Sequence, residues 1–255
     1  MKRILVLLLM AIMIFVFMVG CKDRTHSETV EREGKLLVGI TDFAPMNYKE
    51  NGEWTGFDTE FAKLFAKEKF DAEVEFVEIE WTERFEALDN GEVDCLWNGV
   101  VLADRFKDKA DFSNPYLKNA QVLVLKADRV ADYDDGFQIR NLKFAVVKGS
   151  EGAFYVVDRN GFKNATEVET RDKALEMVSK GEVDAAVIDL TTANFLTGEG
   201  KKYSDLGIGF DFSSESYRVA FPDDSDMTEI FNEFLDEVGE NELKSLAQKY
   251  GVTLY

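Results

Sequence analysis

Histidine and cysteine are almost missing from this chain. Its 255 residues include one histidine, His26, and two cysteines, Cys21 and Cys95. His26 sits in the polar stretch KDRTHSETVEREG, which has no apolar periodicity and reads as a tether. With it set aside, there is no imidazole for a Ser-His-Asp or Cys-His arrangement and no His–Cys set for zinc; a glycine-rich phosphate loop is missing too. No disulfide framework is possible, and Cys95, inside the apolar VDCLW, reads as a small buried hydrophobe. Positive charge is scarce as well: 30 basic residues face 49 acidic ones, for a net charge of −19. That balance argues against nucleic acid and against anionic lipid surfaces as partners, and describes a solvated surface. Among so many acids, carboxylate pairs arise by chance, so a glycosidase-like pair draws no support from composition. These absences lead to the expectation of no cofactor, no metal and no catalytic residues.

What the chain does have is apolar material, 45% hydrophobic residues with 13% aromatics, enough for one large core or two lobes. The first twenty residues stand apart. A short basic start, Met1-Lys2-Arg3, precedes 16 uninterrupted apolar residues from Ile4 to Val19, the pattern of a signal peptide. The run falls short of the roughly 20 residues needed to span a bilayer as a helix. It closes on Met18-Val19-Gly20-Cys21, which resembles the lipobox of bacterial lipoproteins. Gly20 and Cys21 fit that box; Met18 and Val19 depart from its usual leucine and small residue. The resemblance implies an acylated Cys21 (a palmitate-type anchor), a signal peptide over 1–20 and a polar tether over 21–34 that holds a folded body off the membrane.

Beyond residue 34, short apolar strand candidates alternate with helical patterns, and this βαβ order predicts an α/β sheet. KLLVGI, AEVEFVEI and VDCLWNGV read as strands, FDTEFAKLFAKE and TERFEALDN as helices. In the first of these helices Phe57, Phe61, Leu64 and Phe65 form one apolar stripe. After AQVLVLKA and a loop-like acidic stretch, DRVADYDDG, the pattern restarts with LKFAVVKG, EGAFYVVDRN, ATEVE, RDKALEMVSKG and VDAAVID. The tetrapeptide GEVD occurs twice, at 91–94 and at 181–184, each time between a helical pattern and a strand. An offset of 90 also aligns Leu175 with Phe85, Val178 with Leu88 and Asp189 with Gly99. Two similar lobes follow, each with a glycine in the left-handed conformation ending its helix. In open α/β sheets ligands bind beyond the carboxyl ends of strands, so residues 99 and 189 mark the two walls of one cleft if the lobes face each other.

The run LLVGITDFAPMNY, NGEWTGFDTEFAK and WTERFEALDNGEVDCLWNGVVLADRFKDKADFSNPYLKNAQVLVLK resembles the extracytoplasmic amino-acid-binding proteins of bacterial ABC importers, the polar amino acid group. The likeness covers nearly all of residues 35–250. It implies a type II periplasmic-binding-protein fold: two similar α/β lobes joined by a two-strand hinge, with lobe I at 35–125 and 217–255 and lobe II at 126–216. The crossovers are placed near Leu125-Lys126 and near Ser216 to Val219.

A free amino acid is a zwitterion, and burying either charge unpaired costs several kcal/mol, so each needs a fixed partner. By resemblance, Arg105 takes the α-carboxylate with its planar fork. The loop WNGVVLADR is one residue shorter than the family pattern, with Val101 and Ala103 where a hydroxyl is common, which leaves backbone groups of Gly99 and Val101 to serve. Ser150 and Glu151 open a helix whose N–H groups meet the same carboxylate. Asp189 takes the ammonium; otherwise it would cap the helix that follows. Phe43 and Trp81 stand where aromatics sandwich the ligand side chain. Asn98 flanks Gly99 beside Trp97, and alternation alone leaves open which face of that strand looks into the cleft.

The function implied is a non-enzymatic monomer outside the cytoplasmic membrane, held by its lipid anchor, that captures a polar or basic amino acid and delivers it to an ABC transporter permease. Two alternatives remain open: a dehydratase-type enzyme on the same scaffold, and an amino-acid-sensing ectodomain.

Overall fold

A computed structural model of the protein describes residues 25–133 and 138–255. The signal peptide expected over residues 1–20 and the acylation expected at Cys21 lie outside the described residues. Two sheets carry the architecture. The first runs β4-β1-β5-β13-β6, built from β1 (Lys35–Ile40), β4 (Glu73–Glu78), β5 (Cys95–Val101), β6 (Asp111–Phe112) and β13 (Glu215–Phe221), with β7 (Leu117–Asn119) also paired to β13. The second runs β10-β9-β11-β8-β12, from β8 (Gln121–Lys126), β9 (Phe144–Val147), β10 (Ala165–Val168), β11 (Ala185–Asp189) and β12 (Leu206–Asp211). The orders correspond position by position: in each, a three-strand parallel half is followed by an antiparallel strand from the other side of the crossover. A small hairpin, β2 (Tyr48–Glu50) with β3 (Glu53–Thr55), stands apart. Among the described residues no helix is long and apolar enough to cross a membrane.

The repeated GEVD now has a physical content. Helix α3 (Arg84–Asp89) and helix α5 (Arg171–Lys180) each run into a glycine in the left-handed region, Gly91 at φ 71° and Gly181 at φ 72°. Val93 and Val183 are buried plugs. Each aspartate then clips the first half of the neighbouring parallel strand: Asp94 Oδ2 accepts from the Leu37 N–H at 2.7 Å, within β1, and Asp184 Oδ2 from the Lys143 N–H at 2.8 Å, just before β9. The tetrapeptide ends a helix, fills the gap beneath the turn and sets the register of the next strand.

Helix α2 (Phe57–Phe70) buries Phe57, Phe61 and Phe65 completely, and Leu64 packs at the edge of the same core. Trp97 is fully buried there too, with its ring centroid 4.9 Å from that of Phe231 and 5.4 Å from that of Phe61. The face of β5 left open by the alternation argument is settled by this packing: Trp97 points into the core of the first lobe.

Four expectations change. The stretch taken for a tether folds from residue 26 as α1 (His26–Glu33), capped by the Thr25 hydroxyl and ended by the left-handed Gly34. Its one apolar residue, Val30, is buried in the first core, and Ser27 and His26 hydrogen-bond to Asp226 and Ser225. A single apolar residue leaves no periodicity to read, yet tertiary contacts fix the helix. The crossover expected near Leu125-Lys126 occurs at Ala120, between β7 and β8, because all of Gln121–Leu125 pairs with β11 of the second sheet. The return lies between Asp211 and Glu215 rather than at Ser216 to Val219. The helix read over EGAFYVVDRN is only three residues of α-helix, α4 (Glu151–Ala153), which continues as a π-helical turn over Phe154–Arg159.

Candidate functional site

The lobes are apposed, and the residues singled out from the sequence converge on the seam between them. Across it the Thr192 hydroxyl donates to the Ala44 carbonyl (2.7 Å), Tyr48 and Phe195 rings meet at 5.6 Å, and Arg105 of the first lobe pairs with Glu151 of the second. A cavity of about 140 Å³ opens there, with Thr41, Asp42, Glu80, Trp81 and Asn98 on one wall and Lys148, Ser150, Glu169 and Arg171 on the other. A narrower recess next to it reaches Arg84, Gly99, Val101, Glu151 and Asp189.

The strand end of β5 is shaped by packing. Gly99 has φ 61°, and a Cβ there would lie 2.4 Å from the Phe43 ring, so no other residue fits. Its N–H does not face the cleft. It donates to Asp58 Oδ2 at 3.0 Å, while the Tyr116 hydroxyl donates to Oδ1 at 2.8 Å. Full burial pushes the Asp58 carboxyl up to about 7 in spite of these two donors. Asn98 is buried and tied at both ends of its amide, donating to Thr41 Oγ1 (2.7 Å) and accepting from Asn47 (2.8 Å), which fixes the cleft floor. Val101 lines the recess at the end of the same strand.

At the matching end of β11, Asp189 is buried, and its side chain makes no cap to α6 (Leu190–Leu196). Instead its carboxylate collects four donors: Arg171 Nε on Oδ2 (2.7 Å), and on Oδ1 Gln121 Nε2 (2.9 Å), the Tyr217 hydroxyl (3.0 Å) and Asn119 Nδ2 (3.2 Å). That saturates a carboxylate's acceptor capacity. Burial alone would raise its pKa, but Arg171 with the Gln121 and Tyr217 hydrogen bonds outweighs it and holds the group ionised. Asn119 and Gln121 also reach Glu215 Oε2, at 3.2 and 3.1 Å. Burial, followed by the charge of Asp189, pushes Glu215 up to about 7.

Sequence reasoning missed the arginines that matter most here. Arg171 pairs with Asp189 and lays its guanidinium 3.6 Å from the centroid of the Phe43 ring. Phe43, at 1% exposure, thus presents its face to a cation already in place. Trp81 is half-buried, with Arg84 at 4.7 Å over its ring. Arg105 is flanked by the Phe154 and Phe106 rings at 3.8 and 4.4 Å and is bonded to Glu151. The Ser150 oxygen accepts from the Ala153 N–H and starts α4, leaving its own O–H free to donate into the cleft it borders. Arg105 meets its acid across the lobes and Arg171 meets Asp189 within the second lobe, and no local spacing in the sequence encodes either pair.

Two α/β lobes, a double crossover and a polar seam define a solute-binding protein, and comparison with known sequences places this one. The chain belongs to the bacterial extracellular solute-binding proteins, family 3, which it matches over residues 36–253. It is similar to the arginine-binding extracellular protein ArtP of Bacillus subtilis, 30% identical over 264 residues that cover 98% of each chain. It is also similar to a probable histidine-binding protein of Neisseria gonorrhoeae, at 29% identity with 91% of this chain and 88% of the other covered. Among solved structures, a P235GK mutant of ArgBP from T. maritima superposes with a TM-score of 0.79 at 27% identity, covering 88% of this chain and 98% of that one.

Proposed function

We propose that the protein captures a basic or polar amino acid between its lobes and hands it to an ABC importer permease, without chemical turnover. The carrying observation is the seam itself. Asp189 of the second lobe borders the recess, and Arg105 of the first lobe, opposite in charge, is bonded to Glu151 on its rim. The adjoining cavity is lined by Trp81 and by three carboxylates, Asp42, Glu80 and Glu169, chemistry suited to a cationic side chain. The names of the relatives, arginine- and histidine-binding, point the same way.

Each charge a zwitterion would seek is already matched from within. Glu151 supplies a carboxylate to Arg105, and Arg171 supplies a cation to Asp189. Entry of an amino acid is therefore an exchange: its carboxylate displaces Glu151 and its ammonium displaces the Arg171 guanidinium. The charge that leaves is replaced by one of the same sign, so neither Arg105 nor Asp189 is left buried and unpaired. Lipid anchoring through Cys21, a monomeric state and a position on the outer side of the cytoplasmic membrane complete the proposal.

Calorimetry with L-arginine and L-histidine tests the site. Arg105→Ala and Asp189→Asn should each weaken binding at least tenfold while the circular dichroism spectrum is unchanged; wild-type affinity in both variants refutes this assignment. An amino acid converted during incubation, seen by mass spectrometry, would favour the enzyme reading instead.

A further inference from the structure

We propose that Arg84 is a carboxylate-binding residue of the cleft, a guanidinium held unpaired beside Trp81 to receive the carboxylate of the captured amino acid together with Arg105. This deepens the function proposed above and rests on it.

Charge matching around the cleft singles Arg84 out. Of the arginines at the seam, Arg105 has Glu151 and Arg171 has Asp189. Arg84 has no carboxylate partner among the described residues. It is only 6% exposed, and its one hydrogen bond there is from Nη1 to the Trp81 carbonyl at 2.6 Å; Nε is sealed from solvent with no acceptor at all. Burial pulls its pKa down to about 10, which still leaves it charged at neutral pH.

Unpaired buried charges are costly, and a guanidinium can shed its charge only with great difficulty. The Trp81, Phe85 and Phe106 rings, at 4.7, 4.8 and 4.6 Å, hold the plane in place. They favour the cation, but a ring face is a poor acceptor for the in-plane N–H groups of the guanidinium. What those groups lack is a planar anion, and the recess bordered by Arg84, Ser150, Glu151 and Asp189 opens onto it. Arg105 borders a second hollow in common with Arg84, and both guanidinia lie against the ring of Phe106. A carboxylate that displaces Glu151 from Arg105 enters a place where Arg84 already waits. This supplies the donor that the shortened loop, with Val101 and Ala103 in place of hydroxyls, does not offer.

The test separates recognition of the carboxylate from support of the fold. Calorimetry compares L-arginine with agmatine and L-histidine with histamine, pairs that differ only in the carboxylate. The wild-type protein should prefer the amino acid over its amine, and Arg84→Met should narrow that preference by about tenfold or more, the loss of one charge-assisted pair, with agmatine or histamine affinity changed by less than about threefold. Arg84→Lys, which keeps the charge but loses the fork, should fall between the two. Equal weakening of amine and amino acid in both variants would mean a purely structural role and overturns the proposal. A wild-type protein that binds neither arginine nor histidine nor any other common amino acid overturns the proposed function, and the assignment of Arg84 falls with it. Should Arg84→Met fail to fold, the Arg84→Lys comparison decides the matter by the same ratio.

Discussion

Replacing Asp58 by asparagine should remove a large pH dependence from the stability of this protein. Asp58 lies at the foot of α2 with no exposed surface, holding the Gly99 N–H and the Tyr116 hydroxyl. Burial raises its carboxyl from 3.8 to about 7. In the unfolded chain the group loses its proton near the ordinary value, so between about pH 4 and pH 7 the folded state holds a proton that the unfolded state has released. The contribution of Asp58 to stability is therefore greatest below that window and is lost as pH rises through it. The size is roughly 4 kcal/mol, at 1.36 kcal/mol for each tenfold change in proton affinity. Asparagine keeps the shape, its oxygen can accept from Gly99 and its amide can donate to the Tyr116 oxygen. Urea unfolding of both proteins from pH 4 to pH 8 measures the effect. The stability of the wild type minus that of Asp58→Asn should fall by several kcal/mol across the range. Glu215 titrates in both proteins and cancels from the difference. A difference that stays constant to within about 1 kcal/mol would refute the argument, because it would mean that Asp58 is ionised in the folded state as easily as in water.

The twin clips at Asp94 and Asp184 give a second expectation: Asp94→Ala and Asp184→Ala should each cost about 1–2 kcal/mol in urea unfolding, more at half-buried Asp94, since each strands a backbone N–H. Wild-type stability in both variants would show that the repeated tetrapeptide does no structural work. For the envelope anchor, labelled palmitate should be incorporated in cells making the full chain and vanish with Cys21→Ser. An unlabelled wild type refutes lipidation and leaves secretion alone.

The duplicated architecture was legible because it is written in local chemistry. A glycine that must be left-handed and an aspartate that must meet a backbone N–H recur at the same spacing, and the helix–turn–strand unit they bound folds the same way twice. Features that depend on contacts between distant segments were not legible in this way. Strand β8 is apolar without a break from Val122 to Leu125, so its sequence cannot say which sheet claims it, and the crossover falls five residues before the expected Leu125. Strand β12, LGIGFD, alternates Leu206, Ile208 and Phe210 with two glycines and an aspartate, so one of its faces carries almost no side chain from which a partner could be read. Helix α1 rests on one valine and on hydrogen bonds to residues nearly 200 positions away. In the cleft, the resemblance supplied residue types and positions: Ser150, Glu151 and Asp189 border one recess, and Arg105 is bonded to Glu151. The partners already engaged there come from contacts between distant segments, within the first lobe for Asp58 on Gly99, within the second for Arg171 on Asp189, and across the seam for Glu151 on Arg105.

Asp189 is bonded to both crossings between the lobes, to Asn119 and Gln121 on the outgoing one and to Tyr217 on the returning one. The two crossings are themselves laced together, with the Phe212 N–H on the Gln121 carbonyl and the Gln121 N–H on the Ser213 oxygen. On the proposed function, a guest that takes hold of Asp189 would pull on both crossings at once, and occupancy would be felt where the lobes join without relay through either.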